Sequence, residues 1–306
     1  MINLKTKGTR INDDDNLELV SIRSSDIKMD DKNTKCAPTK KFENGSCIPL
    51  KVLVEMAKAY NLDNPDNKIK LSTTHETVNP DKYKRYLINQ FKQKLNKCTN
   101  QQCWTKQPFM KRLSEGVTKE LQNETFRPKS PNGKFAWLNT TNIDQVIEQY
   151  EKKYTEFKYL GAVPIDFDEL SVYGIKNLNF KEMTNNGKTK FGIVFNTDPH
   201  YKSGQHWISL YADLVKGECY FFDSYGVSPE KEIQVFMKRI ARYIKSTGKE
   251  PIMDHNRMQH QKGSVDCGVY SIAFILRMLR GDSFDNINEI RVPDSEINEC
   301  RNYYFA

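Results

Sequence analysis

The chain has 306 residues, with 47 lysines and arginines against 39 aspartates and glutamates, a net charge of +8 and seven cysteines. That length holds one catalytic-sized core plus a smaller module, and no apolar run approaches the ~18 residues that a membrane span needs. The opening MINLKTKGTRINDDDN lacks the apolar centre of a signal peptide. Seven cysteines spread thinly argue for reduced thiols in an intracellular setting rather than a disulfide scaffold. The basic excess suits acidic partners and admits weak DNA binding, but it forms no basic block or aromatic-interleaved stripe, so a lysine-rich solvated surface is its plainer meaning.

Residues 1–34 are polar and nearly free of aromatic groups, which predicts a mobile N-terminal segment. Residues 35–127 read as a helical arm: SCIPLKVLVEMAKAYN and PDKYKRYLINQFKQKL place apolar groups at helical spacing, such as Tyr83, Leu87, Phe91 and Leu95. RPKSPNGK, at 127–134, breaks helix and strand alike and marks the linker into a second domain, 128–306. That domain opens with TNIDQVIEQYEKKYTEF, a predicted helix with Ile143, Val146, Ile147, Tyr150, Tyr154 and Phe157 on one face and Thr141 as N-cap. Three β-like runs follow, FGIVFNTD, HWISLYAD and ECYFFDS. SPEKEIQVFMKRIARYIKS then predicts a helix capped by Ser228 with Pro229 first inside it. The domain is therefore α+β, with central strands and flanking helices.

The stretch QHQKGSVDCGVYSIAFILRML, 259–279, puts Cys267 at the first turn of a continuous apolar helix. Unpaired backbone N–H groups and the helix dipole stabilise a thiolate there. A thiolate nucleophile also needs a base in a fixed tautomer and an oxyanion donor. His206 starts a strand, Asp223 ends the next one, and Gln261 lies six residues before the cysteine. Adjacent strands would set His206 beside Asp223 with the apolar helix beneath. Singly these residues mean little, since a lone buried cysteine is usually structural and a strand-end aspartate is usually a turn former; the combination carries the argument.

GQHWISLYAD, YFFDSYG and QKGSVDCGVYS, in that order, resemble the His-Trp, Asp-Ser and Gln-x-x-x-x-Asp-Cys-Gly segments of the ubiquitin-like-protein (SUMO) proteases and the adenovirus maturation protease. WLNTTNIDQVIEQY is similar to the Trp-Leu-Asn helix start of the SUMO proteases, so the resemblance covers about 137–275. The NTD, HW, HQ and CG segments are similar to those of the polyprotein-processing proteases of African swine fever virus and other large DNA viruses, although the African swine fever virus member carries asparagine where Asp223 stands. The resemblance implies a papain-like cysteine protease core, a central mixed sheet flanked by helices with the nucleophile at the N-terminus of a buried helix. It implies Cys267 as nucleophile, His206 as base, Asp223 as its orienting acid and Gln261 with the Cys267 N–H as oxyanion donors. Trp207 and Trp137 would wall a narrow slot for Gly-Gly before the cut; plain core packing is the alternative meaning of both. The implied activity is a cysteine endopeptidase cleaving Gly-Gly-X sites in viral structural precursors during virion maturation, in virion and host cytoplasm, with no membrane partner and no cofactor. A SUMO or ubiquitin-like deconjugating protease, an acyltransferase and a virion assembly or nucleic-acid-binding scaffold are the rival readings.

The remaining candidates have blander readings. His200, His255 and His260 are expected as loop or surface groups. Cys36, Cys47, Cys98 and Cys103 have intervening spacings of ten and four residues, which fit a zinc site poorly. They are expected as free thiols, with no metal. Cys219 and Cys300 have no base nearby in sequence.

Overall fold

Proline at its first position and apolar groups at every third or fourth give helix α2 (Pro80–Lys94), which buries Tyr83, Leu87, Ile88 and Phe91 against Leu53, Met56, Ala57 and Tyr60 of helix α1 (Leu50–Asp63). The computed structural model describes residues 35–133 and 135–306, so the segment 1–34 lies outside the described residues. Short helical turns at Gln101–Trp104, Pro108–Arg112 and Glu115–Lys119 close this arm. Trp104 meets the Phe91 ring at 5.5 Å and Phe109 meets Tyr60 at 5.6 Å.

The four arm cysteines are not free thiols. Cys36 is bonded to Cys47 and Cys98 to Cys103, with Cα separations of 5.3 and 5.4 Å. Spacing alone hides this, because what decides a disulfide is the turn between its ends. Asn100 caps Gln101–Trp104 by accepting from the Cys103 N–H at 3.0 Å, and that turn returns Cys103 to Cys98.

In the second region, helix α3 (Thr140–Lys153) is capped by Asn139, whose side chain accepts from the Asn142 N–H at 2.9 Å, rather than by Thr141. It stops at Lys153, and Phe157 opens strand β1 (Phe157–Pro164) instead of continuing the helical face. The run FKYLGAVP is aromatic and β-branched enough to override the helical period. Gly161, at φ +102°, sits within the register shift between Tyr159 and Ala162. Strands β2 (Lys190–Asn196), β3 (Trp207–Asp213), β4 (Glu218–Phe222) and β5 (Ile252–His255) complete a five-stranded sheet in sequential order. β1 joins β2 and β4 joins β5 in parallel, while β2–β3 and β3–β4 are antiparallel. β5 is a four-residue edge strand without alternation, and it places His255 on the sheet rather than in a loop.

Helix α4 (Lys231–Ser246) covers one face of the sheet through Ile233, Phe236, Ile240 and Ile244. It begins after Glu230, two residues later than Ser228 and Pro229 suggested; the Pro229 carbonyl is taken instead by the Gln234 side chain at 2.8 Å. Helix α5 (Cys267–Arg280) covers the other face and buries every residue from Cys267 to Leu276, so its apolar run is a central helix. The connector after Arg127 is pinned to the last residue, with Ser130 N–H on the Ala306 carbonyl at 3.1 Å and Ala306 N–H on the Pro128 carbonyl at 2.9 Å. The arm rests on α3, where Gln149 donates to the Asn123 and Phe126 carbonyls, both at 2.8 Å, and Arg127 reaches the Tyr150 hydroxyl at 3.1 Å. Among the described residues no helix is long and apolar enough to cross a membrane.

Candidate active site

β3 and β4 run antiparallel with Ser209 opposite Phe222, so the residue before β3 and the residue after β4 emerge at the same sheet edge. Those residues are His206 and Asp223, and His206 Nε2 lies 2.7 Å from Asp223 Oδ1. The Cys267 thiol is the other side-chain hydrogen-bond partner of the imidazole. Burial alone would lower the His206 pKa, but hydrogen bonds and charge from Asp223 and Cys267 outweigh it and raise it from 6.5 to about 9. Asp223 is itself buried and fixed from behind: its backbone N–H donates to Asn256 Oδ1 at 2.9 Å, and Asn256 Nδ2 donates to its carbonyl at 2.7 Å.

Cys267 is the first residue of α5 and is 3% exposed. The residue before it, Asp266, occupies the N-cap without capping: its carboxylate accepts from Arg301 Nη2 at 2.9 Å and Asn298 Nδ2 at 3.0 Å. No side-chain cap therefore sits on the first-turn N–H groups of α5, and their partial positive charge remains at the end of the helix that carries Cys267. Arg301 also donates to the Ala136 carbonyl at 2.8 Å, tying the C-terminal segment to the start of the α3 approach.

Gln261 is fully buried. Its Oε1 accepts from the Ser224 hydroxyl at 2.7 Å, and its Nε2 donates to the Gly263 carbonyl at 2.9 Å and lies 3.5 Å from the Tyr225 hydroxyl. The two tryptophans differ. Trp207 is packed into the core at 8% exposure with Nε1 on the Leu138 carbonyl at 2.8 Å, whereas Trp137, one residue earlier in the chain than that anchor, is 50% exposed. Gly268 closes the contact: a Cβ there would stand 3.0 Å from Leu138 Cβ and 3.4 Å from Trp207 Cδ1, so the helix start can approach only without a side chain.

Of the other histidines, His200 and His260 lie in a turn and a loop, as expected, and only His255 is in a strand. His200 is half exposed, as expected, but its Nδ1 meets Asp166 Oδ2 at 2.6 Å. His260 is buried, not superficial: its ring lies 5.4 Å from Phe222 and 6.2 Å from Tyr270, and its Nδ1 accepts from the Val292 N–H at 3.2 Å. Burial first, then the nearby Arg277, lowers its pKa to about 4. Its place beside buried Gln261 carries it into the core, which its polar sequence neighbours conceal. Ser224, Tyr225, Asn256 and Arg301 carry no signal of their own in the sequence; the first two directly follow Asp223, while the last two are joined to the site only by the fold. Among the described residues no cluster of His, Cys, Asp or Glu could hold a metal ion.

Comparison with known proteins places the chain in a family. The family pattern described as "Ulp1 protease family, C-terminal catalytic domain" matches residues 192–306. A candidate thiol protease of Acanthamoeba polyphaga mimivirus is 36% identical over 271 residues, covering 86% of this chain and 90% of that one. A SUMO-1 cysteine protease of African swine fever virus is 26% identical, covering 68% of this chain and 83% of the relative. A crystal structure of the African swine fever virus protease superposes with a TM-score of 0.61 at 23% identity, covering 79% of this chain and 93% of that one, and so shares the fold.

Proposed function

The chain belongs to the Ulp1 protease family of cysteine-type peptidases, and from that premise we propose that Cys267, His206 and Asp223 form its catalytic triad, with Gln261 and the Cys267 N–H as oxyanion donors. One observation carries the reading: a single imidazole whose Nε2 meets a buried carboxylate at 2.7 Å and whose basicity is raised by that carboxylate and by a helix-terminal thiol. The thiolate attacks the scissile carbonyl, and the imidazolium then gives its proton to the leaving amine. Asp223 keeps the ring oriented through both steps. As the tetrahedral oxyanion forms, it takes the Cys267 N–H and the Gln261 Nε2 proton now held only by the long 3.5 Å contact to Tyr225.

The substrate is a protein cut after Gly-Gly, in viral structural precursors, with the enzyme acting in host cytoplasm and virion. Half-exposed Trp137 beside the Leu138–Gly268 contact supports a slot that admits side-chain-free residues, and the viral relatives support the setting. Trp207 is the floor of that slot, anchored by its indole N–H. Residues 35–127 act as a docking arm, and any weak DNA contact falls on it, since the basic excess lies there; DNA binding that persists unweakened above physiological salt would contradict that assignment. A Gly-Gly peptide with a C-terminal electrophile is expected to add to Cys267, read by peptide mass mapping. An adduct elsewhere, or none, overturns the triad. Because one relative is a SUMO-1 cysteine protease, modifier fusions run beside precursor peptides separate deconjugation from precursor processing.

A further inference from the structure

Tyr225 touches His206, Asp223 and Gln261 without belonging to the triad. Its ring stacks on the His206 imidazole, with centroids 4.8 Å apart and planes 28° from parallel. Its backbone N–H donates at 2.9 Å to Asp223 Oδ1, the same oxygen that His206 Nε2 meets at 2.7 Å. Its hydroxyl donates at 2.9 Å to the Gly263 carbonyl, which also accepts from Gln261 Nε2. The turn at Lys262 and Gly263 is held on its other side by Asp294, which accepts from both backbone N–H groups at 3.0 and 2.9 Å.

We propose that Tyr225 is a positioning residue that couples the base to the oxyanion donor, its ring holding His206 and its hydroxyl holding the turn that aims Gln261. An aromatic face favours a cation laid against it, so the ring supports the imidazolium over the neutral imidazole and shields that face from water. The hydroxyl acts on a different part of the reaction. Gly263 has no side chain with which to anchor its own turn, and the carbonyl it presents is the one that orients the Gln261 amide. The ring therefore governs protonation and the hydroxyl governs turnover. A tyrosine that merely covers the surface would govern neither. The inference rests on the triad reading above.

The test uses the full chain with Tyr225→Phe, Tyr225→Leu and Cys267→Ala, each checked for folding by circular dichroism. Two quantities are measured: kcat and KM on a Gly-Gly peptide, and the rate of Cys267 alkylation by iodoacetamide against pH, which needs no substrate. Tyr225→Phe keeps the ring, so its alkylation profile matches the wild type while kcat falls about two- to tenfold at unchanged KM, the loss of one hydrogen bond. Tyr225→Leu loses both, so kcat falls further and the alkaline limb of its alkylation profile moves about half a pH unit down. Folded Phe and Leu variants within twofold of wild type at every pH overturn the proposal, and so does a Phe variant whose alkaline limb moves as the Leu variant's does. If Cys267→Ala still turns over substrate, the triad reading itself falls and takes this role with it; silent Tyr225 variants beside an inactive Cys267→Ala sink only the role of Tyr225.

Discussion

The arm and the region beyond it are built from opposite materials. Residues 35–127 carry 18 lysines and arginines against 9 aspartates and glutamates, while residues 128–306 carry 23 of each, so the chain's positive excess belongs to the arm. All four arm cysteines are in disulfides, and the other three, Cys219, Cys267 and Cys300, are free and buried. The arm has two helices of 14 and 15 residues and otherwise short turns, whereas the larger region packs a five-stranded sheet between two apolar layers. A small unit with few long-range contacts gains most from covalent closure, and a sheet-built unit has no need of it. The charge follows the same division: on the proposed reading the neutral region would accept protein substrates of either sign, and the arm would favour acidic surfaces.

Four perturbations test how far the two regions differ. Arg301→Ala has the largest expected effect, because it strands the buried Asp266 carboxylate beside the nucleophile helix; stability falls by about 3–5 kcal/mol in urea unfolding. A loss under 1 kcal/mol would mean that Asn298 alone suffices for Asp266. Gln261→Ala is expected to lower kcat about a hundred- to a thousandfold with little change in melting temperature. A change in KM alone would give Gln261 another task.

Replacing Cys36 and Cys47 together by serine removes one closure from the arm and costs about 2–3 kcal/mol there, seen as faster proteolysis of the arm. Cys267 alkylation should be unchanged if the two regions are as independent as their cores; a parallel fall in its rate would make them one cooperative unit. The gentlest test is pH. His206 titrates near 9 when folded against 6.5 when free, so the stability it contributes is full below pH 6.5 and is lost as pH rises through about 9. Activity should decline over the same rise, and Asp223→Asn should move that decline to lower pH. An Asp223→Asn profile superimposed on the wild type would detach the carboxylate from the base.

What was legible followed from local pattern. The helical arm, the three inner strands and the apolar helix behind Cys267 all announce themselves by local pattern, and the family-like segments single out the residues proposed for the site. What was hidden depended on tertiary context. Phe157 continues a helical stripe on paper but is captured by β2, and β5 is too short to alternate. His260 is a loop residue, but its loop is bonded to the Ser224 carbonyl and buried, which the sequence does not reveal. Cysteine spacing predicted thiols because it omits the Asn100 turn that folds Cys103 back. Arg301 lies 35 residues from its partner Asp266, and no local window contains both.

The burial of the two spare thiols has a practical side. Desolvation drives the Cys219 thiol far up and lifts Cys300 to about 11, so near neutral pH neither is a competent target for a soft electrophile. Under oxidising conditions the arm offers no free sulfur either. Toward alkylating agents the protein is then expected to react at Cys267 alone, and on the proposed triad the moles of label bound count competent active sites. Under reductant the ceiling becomes five equivalents rather than one, so a single stoichiometry distinguishes an opened arm from an intact one while still reporting on the nucleophile.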